Sequence, residues 1–215
     1  MKESIDWSKF FLVLILTVAV FVIGVFFGNY ITEIKYDTIF NTEQSLRLEL
    51  LGLDTQYSLI ESDPCKVFND TSLSESLDEM GNKVTYLENT LGTSSEEVIN
   101  LKKYYFLLEI RHYLLKQRAV KECDVQHDFI LYFYSNKGYC KDCKQEGFVI
   151  SNIRENFDNL SSYSFDIDAE NPALDTLKSI NDVGNVAPVV VVNGETYAGF
   201  KSKEFIENKL ESSKN

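Results

Sequence analysis

Between Lys9 and Glu33 the chain carries 23 consecutive residues without a charge, including the run FFLVLILTVAVFVIGVFF at 10–27. As a helix rising about 1.5 Å per residue, this segment reaches about 34 Å, enough to cross a hydrocarbon core of about 30 Å. A cleaved signal peptide is the competing reading. Its apolar part is normally about 7–15 residues long and gives way to small residues at the cleavage site. Here the run is longer and ends in Phe26, Phe27, Asn29 and Tyr30. Residues 10–32 are therefore read as an uncleaved, single-pass transmembrane helix behind a short N-terminal tail, 1–9.

Lys2, Lys9 and the terminal amine precede the span, and only Lys35 follows closely. The excess of cations on the N-terminal side predicts a cytoplasmic N-terminus and an extracytoplasmic remainder. Four cysteines, an even number, suit an oxidising compartment. Sequons at Asn69-Asp70-Thr71 and Asn159-Leu160-Ser161 add little, because such triplets occur by chance. The inverted topology would place the rest of the chain in the cytoplasm and favour a reducing role. The net charge of −12 comes with no basic stripe, so no nucleic-acid partner is expected.

Residues 33–121 read as a helical, coiled-coil-like region. Its apolar residues recur at alternating steps of four and three, which places each set on one helix face. The first stripe is Leu46, Leu50, Leu53, Tyr57 and Ile60. The second is Leu73, Leu77, Met80, Val84, Leu87 and Leu91, and the third is Val98, Leu101, Tyr105, Leu108, His112 and Leu115. Helices are expected near 31–62, 71–91 and 95–120, the first either separate or continuing directly from the membrane span. Asp63-Pro64 breaks the first from the second, since proline disfavours helical geometry in the residue before it. Residues Asp70 to Ser72 can cap the second helix, with Glu75 completing a box, and Ser94 with Glu97 repeats the pattern for the third. Gly92 suits a C-terminal cap. Three such helices joined by short turns favour an intramolecular bundle over a dimerising coiled coil. His112 falls in a core slot and is read as structural, with a ligand or proton-shuttle role as the sharper alternative. Glu109, one turn away, is expected to partner it or to be solvated.

The pattern changes at 122–215. FILYFYS (129–135) is dense and apolar, as a strand buried on both faces requires. A turn at Asn136–Gly138 leads to Cys140-Lys141-Asp142-Cys143 and then to helical spacing in Phe148, Val149, Ile153 and Phe157. SSYSFDID (161–168) alternates as a second strand, and Asn171-Pro172 opens another helix. PVVVVNGETYAGF (188–200) reads as a hairpin turning at Asn193-Gly194, and Ser202 caps a last helix. The order is β-α-β-α-β-β-α.

On this order, on the C-x-x-C after the first strand, on Pro188 before VVVV and on Asn193-Gly194 followed by Tyr197-Ala198-Gly199-Phe200, residues 125–212 resemble the thioredoxin-like family. The resemblance implies an α/β thioredoxin-like fold behind the transmembrane helix and helical-bundle region. It implies Cys140 as nucleophile, Cys143 as resolving cysteine, and a cis Ala187-Pro188 bond facing them. Ala187 and Tyr139 would then contact a bound substrate chain. With the anchor, the whole is similar to extracytoplasmic thiol–disulfide oxidoreductases, archaeal ones among them. Tyr139 stands where the family usually has tryptophan. Residues 131–134, where reductase-type members carry a buried acid, hold no carboxylate.

The chemistry has its own logic. Exchange needs a thiolate, and a cysteine with pKa of about 8.5 is mostly protonated at neutral pH. A helix N-terminus stabilises the anion, and Cys140 is expected there with Cys143 a turn deeper. Lys141 and Lys144 favour the thiolate and Asp142 opposes it.

Other readings of the same cysteines remain open. A zinc half-site would need four ligands, and Cys65, Cys123, His112 and His127 form no second paired motif. A structural Cys140–Cys143 disulfide in an inactive binding module is the other alternative. Cys65 and Cys123 are expected to form a structural disulfide, with a redox relay as the rival. No cofactor or metal is expected. The anticipated partners are exported cysteine-containing proteins and a membrane redox partner. Beside the enzyme stand two other functions, a non-catalytic adaptor and an electron-relay subunit.

Overall fold

The computed structural model describes residues 7–68 and 71–212, with side-chain surroundings for all of these except 8–10, 29–47 and 49. Asn69, Asp70 and the Leu46 side chain, each used in the expectations above, lie outside what is described. The chain divides into two compact units, Met1–Asp54 and Thr55–Asn215. The helical region expected over 33–121 and the module expected over 122–215 thus share one unit from Thr55 onward.

Helix α1 (Trp7–Glu61) is continuous, so the helix expected near 31–62 runs on directly from the apolar segment. Its segment Phe11–Gly28 is long and apolar enough to span a membrane, and none of it is buried in protein. The helix ends at Glu61. Pro64 then opens a single 3-10 turn, Pro64–Phe68, where a missing amide costs nothing.

Helix α2 (Ser72–Leu91) starts from Thr71, whose hydroxyl donates to the Glu75 carboxylate at 2.8 Å. Helix α3 (Glu96–Cys123) starts from Ser95, one residue later than Ser94, and neither helix has a side-chain cap bond to its own amides. Gly92, at φ +86, ends α2 with its amide on the Glu88 carbonyl. This left-handed geometry suits glycine.

The four strands are β1 (Asp128–Tyr134), β2 (Leu160–Asp166), β3 (Val189–Val192) and β4 (Glu195–Ala198). They lie in the order β2-β1-β3-β4, with β1 parallel to β2 and the other pairings antiparallel. The parallel pair is joined through α4 (Cys143–Asn156). Helix α5 (Pro172–Ile180) lies between β2 and β3, and α6 (Lys203–Ser212) closes the chain. Asn193 (φ +48) and Gly194 (φ +88) make the two-residue hairpin turn. Both central residues need positive φ in the turn that matches strand twist. The Asn193 side chain also bridges to β1, accepting from the Phe129 amide and donating to Asp128, both at 2.8 Å.

β1 alternates its side chains between two cores. Ile130 and Tyr132 join Val190, Val192, Ile150, Ile153, Ile206 and Leu210, placing α4 and α6 on one face. Phe129 and Phe133 face the other way. There Phe133 meets Phe165 at 5.6 Å, Phe165 meets Phe106 of α3 at 5.6 Å, and Tyr113 of α3 meets Phe129 at 5.4 Å. Each buried aromatic of this size contributes about 1.5–3 kcal/mol.

Helices α2 and α3 pack on one another, as the intramolecular-bundle expectation has it, and α3 packs on the sheet as well. Helix α2 does pack its stripe of Leu73, Leu77, Met80 and Val84 inward, but α3 buries far more than a stripe. Phe106, Ile110, Tyr113 and Ala119 are buried along with Leu108 and Leu115, because α3 is sandwiched between its helical neighbours and the sheet.

Candidate functional site

β1 delivers its C-terminal end to a loop, 135–142, that carries the first cysteine of the C-x-x-C to the start of α4. Cys140 and Cys143 are joined as a disulfide, with Cα atoms 5.5 Å apart. The helix begins at Cys143 with Asp142 as N-cap, so Cys140 stands before the first turn instead of at its start. The Cys140 amide instead closes a turn onto the Lys137 carbonyl at 3.3 Å. Cys143 is thus the first helical residue and Cys140 lies in the loop before it.

Burial separates the two. Cys140 is half-buried, whereas Cys143 is 7% exposed. The Ser135 amide donates to Cys143 Sγ at 3.4 Å, and the Tyr132 hydroxyl donates to the Cys143 carbonyl at 2.5 Å.

One carboxylate organises the loop. Asp168, just past β2, accepts from Ser135 Oγ at 2.5 Å, Lys137 Nζ at 3.1 Å and Tyr139 Oη at 3.2 Å. Burial alone would raise the Asp168 pKa, but these donors outweigh it and hold the group below its ordinary value. Tyr139 is half-exposed, with its hydroxyl anchored on Asp168. Lys141, Asp142 and Lys144 are all exposed.

The strand before the motif lacks a carboxylate, but the helix after it has one. Glu146, one turn beyond Cys143, is 0% exposed. Its Oε1 accepts from the Lys201 amide at 2.9 Å, and its Oε2 is buried without a hydrogen-bond partner. Desolvation pushes its pKa up to about 7, against the Lys201 amide and charge, with Asp142 adding to the rise. The strand's composition gives no sign of this residue, although three-residue spacing from Cys143 puts both on one helix face. Ala187-Pro188 is a cis peptide immediately before β3, whose Val189 pairs with Phe133. It therefore lies at the same end of the sheet as the loop. Ala187 and Pro188 are both buried.

Cys65, in the 3-10 turn, is bonded to Cys123, the last residue of α3, with Cα atoms 5.6 Å apart. This bridge sits before β1 and the C-x-x-C after it. Seven strand residues at about 3.3 Å each separate them by roughly 20 Å, far beyond direct exchange. Among the described residues no group of three or more His, Cys, Asp or Glu could hold a metal ion.

His112 is buried and hydrogen-bonded on both nitrogens, Nε2 to Ser74 Oγ at 3.4 Å and Nδ1 to Tyr163 Oη at 3.2 Å. It ties α2, α3 and β2 together. Desolvation, with Lys116 and His127 nearby, pushes its pKa down to about 3, so it is neutral. Glu109 is not its partner. That carboxyl is buried and accepts from the Ser164 amide at 3.3 Å.

These features define a mixed α/β protein with a four-stranded sheet, a candidate membrane helix and a cysteine pair at a strand-to-helix junction. No protein-family model and no curated protein matches the chain.

Proposed function

We propose that residues 125–212 form a thioredoxin-like redox module, and that the protein is a membrane-anchored thiol–disulfide oxidoreductase acting on exported proteins. The observation that carries this reading is the unequal burial of the two sulfurs within one C-x-x-C disulfide: Cys140 can be reached, and Cys143 cannot. The anchor is residues 10–32, with the N-terminus cytoplasmic and the module extracytoplasmic.

In the oxidising direction a substrate thiolate attacks Cys140 Sγ. A substrate–Cys140 bond forms as the Cys140–Cys143 bond breaks, and the electron pair leaves on Cys143 as a thiolate. The Ser135 amide and the first turn of α4 stabilise that charge. A second substrate thiolate then attacks its partner's sulfur and releases Cys140, leaving the substrate oxidised and the motif reduced. The reductive direction is the same path reversed. Glu146, poised near neutrality one turn from Cys143, is placed to exchange a proton as that thiolate forms and is quenched.

The test is paired. Cys140→Ser abolishes both insulin reduction and oxidative refolding if the reading holds, and unchanged activity in that variant ends it. Cys143→Ala accumulates mixed disulfides on Cys140. Recovery of many exported proteins supports an enzyme, whereas a single membrane protein shifts the reading to an electron-relay subunit.

A further inference from the structure

Away from the cysteines, α2, α3, α4 and β2 enclose a cavity of about 430 Å³, open on one side. It is polar, and two of its buried ionisable side chains are incompletely paired, Glu109 beside the Tyr105 hydroxyl and Lys116 over the Phe68 ring at 5.7 Å. Glu109 is 4% exposed, with one oxygen on the Ser164 amide and Oε2 buried without a hydrogen-bond partner. Lys116 is 8% exposed and donates to Ser161 Oγ at 3.0 Å, with no carboxylate in ion-pairing reach among the described residues. An ammonium has three donors, so two remain. At the rim Asp78 and Arg154 are paired at 2.6 Å and satisfy each other, and Glu155 is exposed to solvent.

An incompletely paired carboxyl and amine buried in one cavity are costly to ionise unless something fills the gap between them. They stand seven residues apart on α3, two turns, hence about 10.5 Å along the axis. Subtracting a hydrogen bond of about 2.8 Å at each end leaves roughly 5 Å for collinear contacts, and more when the side chains lean. A single amino acid spans at most about 3.5 Å, a dipeptide about 7 Å and a tripeptide about 10.5 Å.

We propose that this cavity binds a short zwitterion of dipeptide length, its ammonium on Glu109 and its carboxylate on Lys116. His112, neutral and bonded on both nitrogens, forms the wall between them and adds no charge. Ser74, whose hydroxyl contacts His112, and Tyr105, whose hydroxyl interacts with Glu109, also line the cavity. In the empty cavity burial holds both ends toward their neutral forms, raising Glu109 to about 8 and lowering Lys116 to about 8. The ligand's ammonium favours the ionised Glu109 carboxylate, and its carboxylate favours the ammonium form of Lys116.

Calorimetric titration of the full chain, held in detergent for its apolar helix, tests this with alanyl-alanine as probe. Saturable binding is expected, weakened about tenfold or more by N-acetylation, by C-terminal amidation, or by shortening to alanine, since each removes a charge-assisted contact. Glu109→Gln and Lys116→Met should each weaken it comparably. Absence of saturable binding at millimolar alanyl-alanine overturns the proposal, as does equal binding of the capped forms. The capped probes use the unaltered protein, so the outcome stands even if a variant fails to fold.

Discussion

The backbone amide of Ser135 faces the sulfur of Cys143 across 3.4 Å, joining the residue after β1 to the first residue of α4. Ser135 is itself held by Asp168 through its hydroxyl at 2.5 Å, so a carboxylate beyond β2 sets the donor that faces the buried sulfur. Position and electrostatics at Cys143 therefore depend on a residue 25 places further along the chain.

Asp168→Ala should loosen the 135–140 loop and cost about 1.5–3 kcal/mol, the range for hydrogen bonds to a charged group. Thermal unfolding measures the loss, and reduction of Cys140–Cys143 by dithiothreitol should be slowed in the same variant. Because Asp168 titrates below its ordinary value, its contribution is present above about pH 4 and is lost as pH falls through the folded pKa. A variant with the wild-type melting profile between pH 2 and 6 would contradict this role.

Glu146 has the opposite sign. Its folded pKa of about 7 lies above the ordinary carboxyl value of about 4.5, so the folded state binds the extra proton. Stability is full below about pH 4.3 and declines as pH rises through 7. Glu146→Gln should remove that decline and be more stable than wild type at pH 8, by on the order of 1–3 kcal/mol. Denaturant titrations at pH 5 and pH 8 give the comparison. The pH–rate profile of thiol exchange should lose its inflection near 7 in the same variant.

His112 makes the protein acid-sensitive. With its folded pKa lowered to about 3, unfolding takes up a proton at any pH between that value and about 6.5. Stability from the neutral ring is complete above about pH 6.5 and falls progressively toward pH 3. His112→Gln should flatten that limb while lowering stability at pH 7, because the Ser74 and Tyr163 contacts are imperfectly replaced. Melting temperatures across pH 3 to 7 separate the two effects.

Removing the Cys65–Cys123 bridge should be a stability change without a redox change. It closes a separation of 58 residues, for which chain entropy gives about 4 kcal/mol. A Cys65→Ala, Cys123→Ala double variant is expected to melt lower yet retain exchange at Cys140. Loss of exchange in the folded double variant would instead point to a relay.

Much of the architecture was legible along the chain. The uncharged run at 10–32, the heptad-like stripes of α2 and α3, the dense strand before Cys140 and the Asn193-Gly194 turn each express a periodicity or propensity within a few residues. Local sterics and amphipathic spacing act at that range, so element type follows with shifts of a residue or two at caps such as Thr71 and Ser95. Other features arise only when distant segments meet. The sheet order sets Val189 against Phe133, and α3 becomes the layer covering β2 because Phe106 and Tyr113 find aromatic partners there. Glu146 is a surface-type residue on an amphipathic helix until the Lys201 amide, 55 positions away, helps to bury it. Asp168 gathers three donors from a loop about 30 positions earlier. Desolvation and convergent hydrogen bonding depend on which surfaces are brought together, and no local pattern encodes that. The two cysteines were visible from the start; which sulfur is sheltered, and by what, was decided by the packing of β1, α4 and the loop that Asp168 holds.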